Sequence, residues 1–401
     1  MPRAPYAMPQ SPRHLALNVL TRLEQTGVLL DPLMDEVLSG RPFSDPRDRS
    51  LFHALVFGAL RWRGRLDGII EHFSKTPLKK IDPVVMNILR LGLFQVVFLD
   101  RIPVSAAVDT SVALARAKAP AWVAGFVNAL LRNAAKNWGK VPLPDRTRFP
   151  DRYLAVRWSF PPWMVRRWIA RFGFSEAERL CRTMNEIPPI TIRTNTLNTT
   201  RRQLKSALRA AAEDLRETPH AKDGLCLRNP SRPVRELPLF QAGGFQVQDE
   251  AAQLVSLLVA VKPGQTVLDA CAGLGVKTGH LAQLMENRGT LVALDNNPAK
   301  AVQLESEMHR LGVSIVRSAV QDLLSPISKH EGRFDRLLLD APCSGLGVVR
   351  RNPDAKWRTR PNDIEKFGKR QRILLNRAAD LVRPGGILVY SVCSMEPEEN
   401  A

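Results

Sequence analysis

The sequence predicts a multidomain protein in which an all-α N-terminal domain and a small α+β module precede an α/β domain with a doubly wound, mostly parallel sheet. Three observations predict this architecture. The chain has 401 residues, more than one hydrophobic core usually organises. Apolar residues recur at helical spacing through the first third of the chain, and short apolar strands alternate with helices from Gln248 onward. We expect domains at residues 1–140, 141–248 and 249–401.

Charge and cysteine usage narrow the class of protein. Lys and Arg number 58 against 39 Asp and Glu, which gives a net charge of +19. The excess is spread over all three predicted domains, so it suits a long polyanion better than one small ligand. Five cysteines without a CxxC pair indicate free thiols in a reducing compartment. No apolar run is long enough to span a bilayer, so we expect a cytoplasmic protein without a membrane partner.

The N-terminal domain carries clear helix starts. Ser11-Pro12 and Asp82-Pro83 each place a capping side chain before a proline at the first helical position. Apolar faces follow from residue 15 to 23 and from residue 85 to 93. Basic residues flank Trp62 from Arg61 to Arg65, and such a cluster is more often a solvated helix face than a binding surface.

The middle module follows a proline-containing linker at residues 139–150. An aromatic helix around Trp168 precedes an alternating, strand-like run at residues 190–194 and a helix through Leu204. Arg166-Arg167 and Arg201-Arg202 are candidate phosphate contacts. Surface arginines whose stems cover apolar groups are the alternative for each pair.

The stretch VLDACAGLGVKTGHL, residues 267–281, organises the C-terminal domain. It predicts a buried strand, a turn containing Gly273 and Gly275, and the start of a helix whose free N–H groups favour an anion. Further strands are expected at residues 290–294, 314–317, 334–339 and 386–391. Asp295 and Asp340 end the second and fourth strands and Asp322 follows the third, at the edge where parallel sheets bind ligands.

Two cysteines follow strands that should be neighbours. Cys343 lies in DAPCSG after strand four, and Cys393 lies in SVCS after strand five. Neighbouring strands would bring both thiols into one crevice beside the glycine turn. A single cysteine at a strand end is usually a buried structural residue, but two at adjacent strand ends indicate catalysis.

Four segments resemble the signature motifs of the RNA 5-methylcytosine methyltransferases, which use S-adenosylmethionine. They are GGFQVQDEAA, DACAGLGVKT, DAPCSGLGVVRRNPDAKW and SVCSMEPEEN. The helical domain resembles a NusB-like RNA-binding domain, and the middle module resembles an RNA-recognition-like subdomain. The resemblance implies a Rossmann-like class I methyltransferase domain at the C-terminal end. It also implies small-subunit ribosomal RNA as the partner of a monomer that needs no metal.

The resemblance implies a role for each residue of the crevice. Cys393 would add to carbon 6 of cytosine as the nucleophile, and Cys343 would assist breakdown of the adduct. The residues alone leave these two roles open, because DNA cytosine methylation uses a thiol at the Cys343-like position. Asp340 would hydrogen-bond the base or orient the methyl donor. Lys277 would supply positive potential, with an anion-binding lysine at a helix start as the alternative.

The implied cofactor is S-adenosylmethionine, with methionine along the turn, ribose on Asp295 and adenine near Asp322. Cys271 would be a wall residue without a chemical role. The basic stretch 350–372 would hold RNA phosphates, through Arg350, Arg351 and Lys356. The predicted cofactor residues are Cys271, Ala272, Gly273, Leu274, Gly275, Val276, Lys277, Asp295, Lys300, Asp322 and Asp340.

The sequence departs most from the family pattern at two places, with milder departures at Lys300 and Val392. Gly273, Leu274 and Val276 stand where the turn usually reads Ala, Pro and Gly, and a valine would be strained if position 276 needs a positive φ. Family members continue into two further strands, so we expect a sheet truncated after strand five with an exposed edge beside Cys393. Two alternatives therefore stay open: a catalytically impaired ribosomal-RNA-binding protein, and a transfer-RNA cytosine methyltransferase.

Overall fold

The chain folds into two compact units, seen in a computed structural model that describes residues 11–40, 42–325 and 333–400. The first unit extends to Ile187 and includes the later segment Val348–Pro361. The second comprises Pro188–Gly347 and the chain from Asn362 onward. The chain therefore leaves the second unit shortly after the first cysteine motif and later returns to it.

Helices make up the first unit, and they begin where the sequence favours it. Ser11 Oγ accepts a hydrogen bond from the His14 N–H at 3.3 Å, and Asp82 Oδ1 accepts one from the Val84 N–H at 2.8 Å. Both predicted helix starts are confirmed. The helices are α1 (Pro12–Thr26), α2 (Leu30–Ser39), α3 (Pro46–Arg61), α4 (Arg63–Phe73), α5 (Pro83–Phe98), α6 (Val104–Lys118), α7 (Ala121–Asn137), α8 (Pro150–Trp158) and α9 (Pro162–Asn185), which is broken at Gly173.

The core of this unit combines apolar side chains with one ion network. Phe52 of α3, Leu66 of α4 and Leu89 of α5 are fully buried. Arg90 of α5 donates to Asp67 at 2.7 Å, and its guanidinium also pairs with Glu24. A buried charge without partners is costly, so these paired charges fix the helices that carry them relative to each other.

The first unit extends beyond the predicted boundary at residue 140. Ser159, which follows α8, accepts a hydrogen bond from the Gly64 N–H at 2.7 Å. The segment Val348–Pro361 contains a short helix, Ala355–Arg358, and the indole of Trp357 donates to the Leu60 carbonyl at 2.6 Å. These contacts join residues that are far apart in the sequence. The first unit therefore includes residues beyond the helical segment 1–140 that the periodicity of apolar residues indicates.

A small antiparallel sheet opens the second unit. Its strands are β1 (Ile190–Thr194), β2 (Ala212–Glu217), β3 (Gly224–Pro230) and β4 (Phe245–Val247), in the order β2-β3-β1-β4. The helices α10 (Arg201–Ala207) and α11 (Pro238–Gln241) accompany it. Ile192, Leu204 and Phe245 are buried in its core. The predicted α+β character and the strand at residues 190–194 are confirmed.

A parallel sheet forms the rest of the second unit. Its strands are β5 (Thr266–Asp269), β6 (Thr290–Asp295), β7 (Val316–Val320), β8 (Phe334–Asp340) and β9 (Val382–Ser391), in the order β7-β6-β5-β8-β9. The remaining helices are α12 (Glu250–Leu258), α13 (Val276–Leu284), α14 (Pro298–Leu311), α15 (Ala355–Arg358, in the first unit) and α16 (Pro361–Ala379). The strand order reverses between β5 and β8, the point at which such sheets bind ligands. The predicted doubly wound sheet is confirmed, and β8 and β9 are neighbours.

Helices cover both faces of the parallel sheet. Leu337 and Leu339 of β8 pack in one apolar cluster with Leu374 of α16, whereas Leu338 packs in another with Leu281 of α13. Successive strand residues point to opposite faces, so the buried leucines at 337–339 of β8 serve the apolar clusters on both faces. In the part of the chain that the structure describes, no helix combines the length and apolar character needed to cross a bilayer.

Candidate active site

The glycine turn lies between β5 and α13. Gly273 and Gly275 have left-handed backbones, with φ of 57° and 80°. A Cβ on Gly275 would also lie 2.7 Å from Leu304 Cγ, so both backbone and space require glycine there. Val276 is the first residue of α13. The condition under which a valine would be strained at position 276 is therefore not met, because the left-handed positions of this turn are Gly273 and Gly275.

The two predicted thiols meet where β8 and β9 end. Asp340 of β8 pairs in register with Ser391 of β9, so both cysteine loops start at the same level of the sheet. The Gly347 N–H donates to the Cys393 carbonyl at 2.9 Å, which ties the loops together again. The Sγ atoms of Cys343 and Cys393 lie 3.0 Å apart, and both cysteines are free. That separation is a thiol–thiol contact, well beyond the length of a disulfide bond.

The thiols share a contact but ionise differently. The hydrogen bond from Cys343 lowers the pKa of Cys393, and Lys277 acts in the same direction while burial and Asp340 oppose it. The same hydrogen bond raises the pKa of Cys343, and burial and the neighbouring Cys393 charge raise it further. Cys393 is therefore the thiol that ionises first, as a nucleophile requires.

A lysine and an aspartate stand beside the thiols. Lys277 Nζ, in the first turn of α13, donates to Asp340 Oδ2 at 2.5 Å. Ser391 Oγ donates to Asp340 Oδ1 at 2.7 Å. Below them the buried Asp269 accepts a hydrogen bond from Thr278 Oγ1 at 2.7 Å, and burial raises its pKa to about 6. Lys277 and Ser391 thus occupy one oxygen each of Asp340.

A cavity of about 460 Å³ joins the turn to the thiols. Of the predicted residues, those lining it are Cys271, Gly273, Asp295, Lys300, Asp322, Asp340, Cys343 and Cys393. Ala272 and Leu274 belong to the turn but do not line the cavity, and neither do Gly275, Val276 and Lys277. Burial raises the pKa of Cys271 to about 12, so this wall residue stays a thiol. Arg370 of α16 also lines the cavity and was missed, because nothing in its helix distinguishes it from neighbouring basic residues.

Asp295 and Asp322, which line the cavity away from the thiols, each accept hydrogen bonds from backbone N–H groups. Asp295 Oδ2 accepts a hydrogen bond from the Gly273 N–H at 3.0 Å, and its Oδ1 accepts one from the Asn297 N–H at 2.9 Å. Asp322 Oδ1 accepts one from the Leu324 N–H at 2.9 Å. Each carboxylate oxygen has two lone pairs, so these carboxylates can still accept hydrogen bonds from a ligand.

Arg193 of β1 is a second residue that the sequence reasoning missed. It is fully buried, and its guanidinium donates to the Val276 carbonyl at 3.1 Å and to Gln283 Oε1 at 3.2 Å. A third hydrogen bond goes to Gln248. One side chain of the small sheet therefore holds the first turn of α13. The sequence feature that could have indicated Arg193 is its position as the one charged residue in the alternating run ITIRT, which predicts a half-buried strand.

The three predicted phosphate contacts lie in the segment Val348–Pro361 of the first unit. Lys356 is only 1% exposed, and its Nζ donates to the Arg61 carbonyl at 2.8 Å and to Asn185 Oδ1 at 3.1 Å. Its ammonium also lies 4.0 Å from the centre of the Phe160 ring. The prediction that Lys356 binds RNA is therefore wrong, because burial leaves it no access to a phosphate. Arg350 and Arg351 are half-buried and stay predictions.

Three family models match the chain in order. Residues 10–136 match the NusB family, and residues 160–235 match the ferredoxin-like domain of the RsmF/B-like methyltransferases. Residues 256–401 match the 16S rRNA methyltransferase RsmB/F. Together with the doubly wound sheet and its glycine turn, these matches define a multidomain ribosomal RNA methyltransferase with a NusB-like helical domain.

Related proteins resemble the chain along nearly its whole length. The probable ribosomal RNA small subunit methyltransferase B of Bacillus subtilis (strain 168) is 35% identical over 97% of this chain and 86% of its own. The protein of the same name from Synechocystis sp. (strain ATCC 27184 / PCC 6803 / Kazusa) is 36% identical over 97% and 87%. The crystal structure of PH0851 superposes with a TM-score of 0.81 at 26% identity, over 98% of this chain and 87% of that one. The chain belongs to the ribosomal RNA small subunit methyltransferase B family.

Proposed function

We propose that this methyltransferase transfers a methyl group from S-adenosylmethionine to carbon 5 of a cytosine in small-subunit ribosomal RNA, through a covalent bond between Cys393 and the base. The observation that carries the proposal is the pair of free thiols, 3.0 Å apart, on a cavity that reaches the glycine turn. Two thiols in contact suit a reaction in which one bonds to the base and the other handles a proton. A ribosomal RNA substrate would place the enzyme in the cytoplasm.

The cavity fits the cofactor in size and in its polar groups. Its volume of about 460 Å³ lies within the usual range for small-molecule sites. Gly273 faces open space, since a Cβ there would meet no atom within 4 Å, and this leaves room for a ligand against the backbone. Asp295 and Asp322 would accept hydrogen bonds from ribose hydroxyls and adenine. When bound, S-adenosylmethionine supplies the electrophilic methyl group.

Cys393 starts the reaction. Its thiolate forms a bond to carbon 6 of the cytosine, and the electron pair of the ring double bond moves so that carbon 5 becomes nucleophilic. The lowered pKa of Cys393 favours this thiolate. Lys277 stands close enough to favour the negative charge on the Cys393 sulfur and on the adduct. Asp340, held by Lys277 and Ser391, would orient the base or the methyl donor.

Cys343 completes the reaction once carbon 5 carries the methyl group. While Cys393 is a thiolate, its hydrogen bond and charge keep the proton on Cys343. Bonding of Cys393 to carbon 6 removes both effects, so Cys343 can then lose its proton to solvent. The Cys343 thiolate takes the proton of carbon 5, the double bond to carbon 6 re-forms, and Cys393 leaves as a thiolate. The net proton released balances the loss of positive charge from the methyl donor.

Trapping of the adduct tests this assignment. The purified chain is incubated with S-adenosylmethionine and unmodified small-subunit ribosomal RNA, and enzyme–RNA adducts are resolved on a denaturing gel. We expect Cys343→Ala to accumulate adduct, because addition proceeds and elimination stalls. Cys393→Ala should form none, because it lacks the attacking sulfur. Exchanged outcomes for the two variants would reverse the roles of the thiols.

Cys226→Ala is the matched control for thiol loss. Cys226 is a half-buried free cysteine of β3 that does not line the cavity. We expect it to methylate RNA like the unaltered chain and to leave no adduct. Adduct in this control would mean that trapping does not report on the paired thiols.

A further inference from the structure

One buried carboxylate contacts the residue that follows each of the two thiols. Glu399 Oε1 accepts hydrogen bonds from Ser344 Oγ and from Ser394 Oγ, each at 2.5 Å. Its Oε2 accepts from the Ser344 N–H at 2.9 Å. Ser344 directly follows Cys343, and Ser394 directly follows Cys393. Both cysteine loops therefore converge on a single side chain.

Gln371 of α16 adds a second link to the first loop. Its Nε2 donates to Glu399 Oε2 at 3.0 Å and to the Pro342 carbonyl at 2.9 Å. The backbone is thus fixed on both sides of Cys343, at Pro342 before it and at Ser344 after it. Glu399, Ser344 and Gln371 are each only 2% exposed. Solvent cannot loosen these hydrogen bonds by competing for them.

Glu399 itself is held rigidly. Its carbonyl accepts a hydrogen bond from the Tyr390 hydroxyl at 2.8 Å, and its N–H donates to the Glu396 carbonyl at 3.1 Å. The preceding residue packs on α16 so closely that a Cβ on Gly368 would lie 2.2 Å from the Glu398 carbonyl oxygen. A fixed acceptor can impose its geometry on the groups that bind it.

The hydrogen-bond partners of the Glu399 carboxylate suit a residue that positions other groups. Its partners in the described chain are neutral donors, and no Lys or Arg of residues 11–40, 42–325 or 333–400 forms an ion pair with it. A carboxyl group is costly to bury without partners, and four hydrogen bonds to Glu399 offset this cost. It does not line the cavity, so it acts on the thiols through the loop contacts made by Ser344, Ser394 and Gln371.

We propose that Glu399 is a positioning residue that sets the distance between the two thiols by binding the residue after each. The proposal rests on the proposed function for its role in catalysis, but its structural content concerns the thiol pair alone. Release of either serine would let one loop move and would lengthen the contact between Cys343 and Cys393. Cys393 would then lose the hydrogen bond that favours its thiolate.

Glu399→Gln tests the proposal in the 401-residue chain. The amide keeps the volume but points an N–H group at one set of donors, so it cannot hold both serines and Gln371. The rate of Cys393 alkylation by iodoacetamide is followed against pH by mass spectrometry, which needs neither RNA nor cofactor. We expect the alkylation rate of Cys393 to begin its rise at a higher pH than in the unaltered chain. Methyl transfer should slow by about tenfold to a hundredfold. The dissociation constant of S-adenosylmethionine should change less than about twofold, because Glu399 is outside the cavity.

Two further variants make the outcome decisive. Glu365→Gln removes the same charge from an exposed pair with Lys369 on α16 and should match the unaltered chain. Ser394→Ala removes one donor and keeps the carboxylate, so it should shift the alkylation profile even if Glu399→Gln does not fold. An unshifted profile in both folded variants, or in Ser394→Ala alone if the other is unfolded, overturns the proposal. A shifted profile in a chain that methylates no RNA would instead support the positioning role and contradict the proposed function.

Discussion

Cys393 and Cys343 show how one contact gives two like side chains different chemistry. The Cys343 S–H can stabilise a thiolate on Cys393, but two thiolates 3.0 Å apart would repel each other strongly. The pKa of Cys393 is lowered and that of Cys343 is raised for this reason. The residues alone left the catalytic roles of the two thiols open, and the roles that the sequence resemblance implies stay predictions.

Cys343→Ala should change the ionisation of Cys393 in a defined direction. Cys393 is a thiolate at lower pH than an ordinary thiol, because Cys343 donates to it. Loss of that donor raises the pKa, so alkylation of Cys393 should begin at higher pH than in the unaltered chain. Iodoacetamide labelling of the Cys393 peptide from about pH 5 to pH 10 measures the shift. An unmoved or downward-shifted profile would show that the thiol contact does not control the nucleophile.

At the residue scale, the sequence predicted which side chains lie close together when these side chains end or directly follow a strand. Cys343, Cys393, Asp295 and Asp340 each end or follow a strand, and the sheet brings them to one edge. The prediction failed for Lys356, because a lysine in a basic stretch looks solvent-exposed. Its burial depends on acceptors in the first unit that lie far away in the sequence.

Among the elements, the join between β5 and α13 forms the glycine turn, and Cys271 and Gly273 of this turn line the cavity. The strand, the glycine turn and the helix were all predictable from residues 267–281. The conformation of each turn position was not, because spacing does not reveal which residues take a positive φ. The structure gives that conformation to Gly273 and Gly275 and starts α13 at Val276, so the change from glycine at 276 carries no backbone penalty.

Arg193→Met should loosen α13 and weaken cofactor binding. The substitution leaves the Val276 carbonyl and the side chains of Gln248 and Gln283 without their buried donor, which costs about 2 kcal/mol or more. We expect a lower Tm and weaker S-adenosylmethionine binding in calorimetric titrations. Arg201→Met, on α10, removes a partly exposed pair with Glu217 and serves as the control. Equal effects of the two substitutions would contradict a specific role for Arg193.

At the scale of the whole molecule, composition predicted the class of partner and periodicity predicted the fold. The net charge of +19 indicated a polyanion, and the alternation of strands and helices indicated the doubly wound sheet. Neither could reveal that Val348–Pro361 leaves the second unit and packs in the first. This segment is held by a hydrogen bond from the Trp357 indole to the Leu60 carbonyl, which joins residues almost 300 positions apart in the chain. Long-range contacts of this kind depend on tertiary packing and leave no local pattern.

The most direct test of the central claim is methyl transfer by the purified 401-residue chain. Unmodified small-subunit ribosomal RNA is incubated with methyl-labelled S-adenosylmethionine, and the labelled nucleoside is identified after digestion. We expect label at carbon 5 of cytosine, and none with Cys393→Ala. No transfer by the unaltered chain, despite measured binding of both RNA and cofactor, would contradict the claim and favour an RNA-binding protein without this activity.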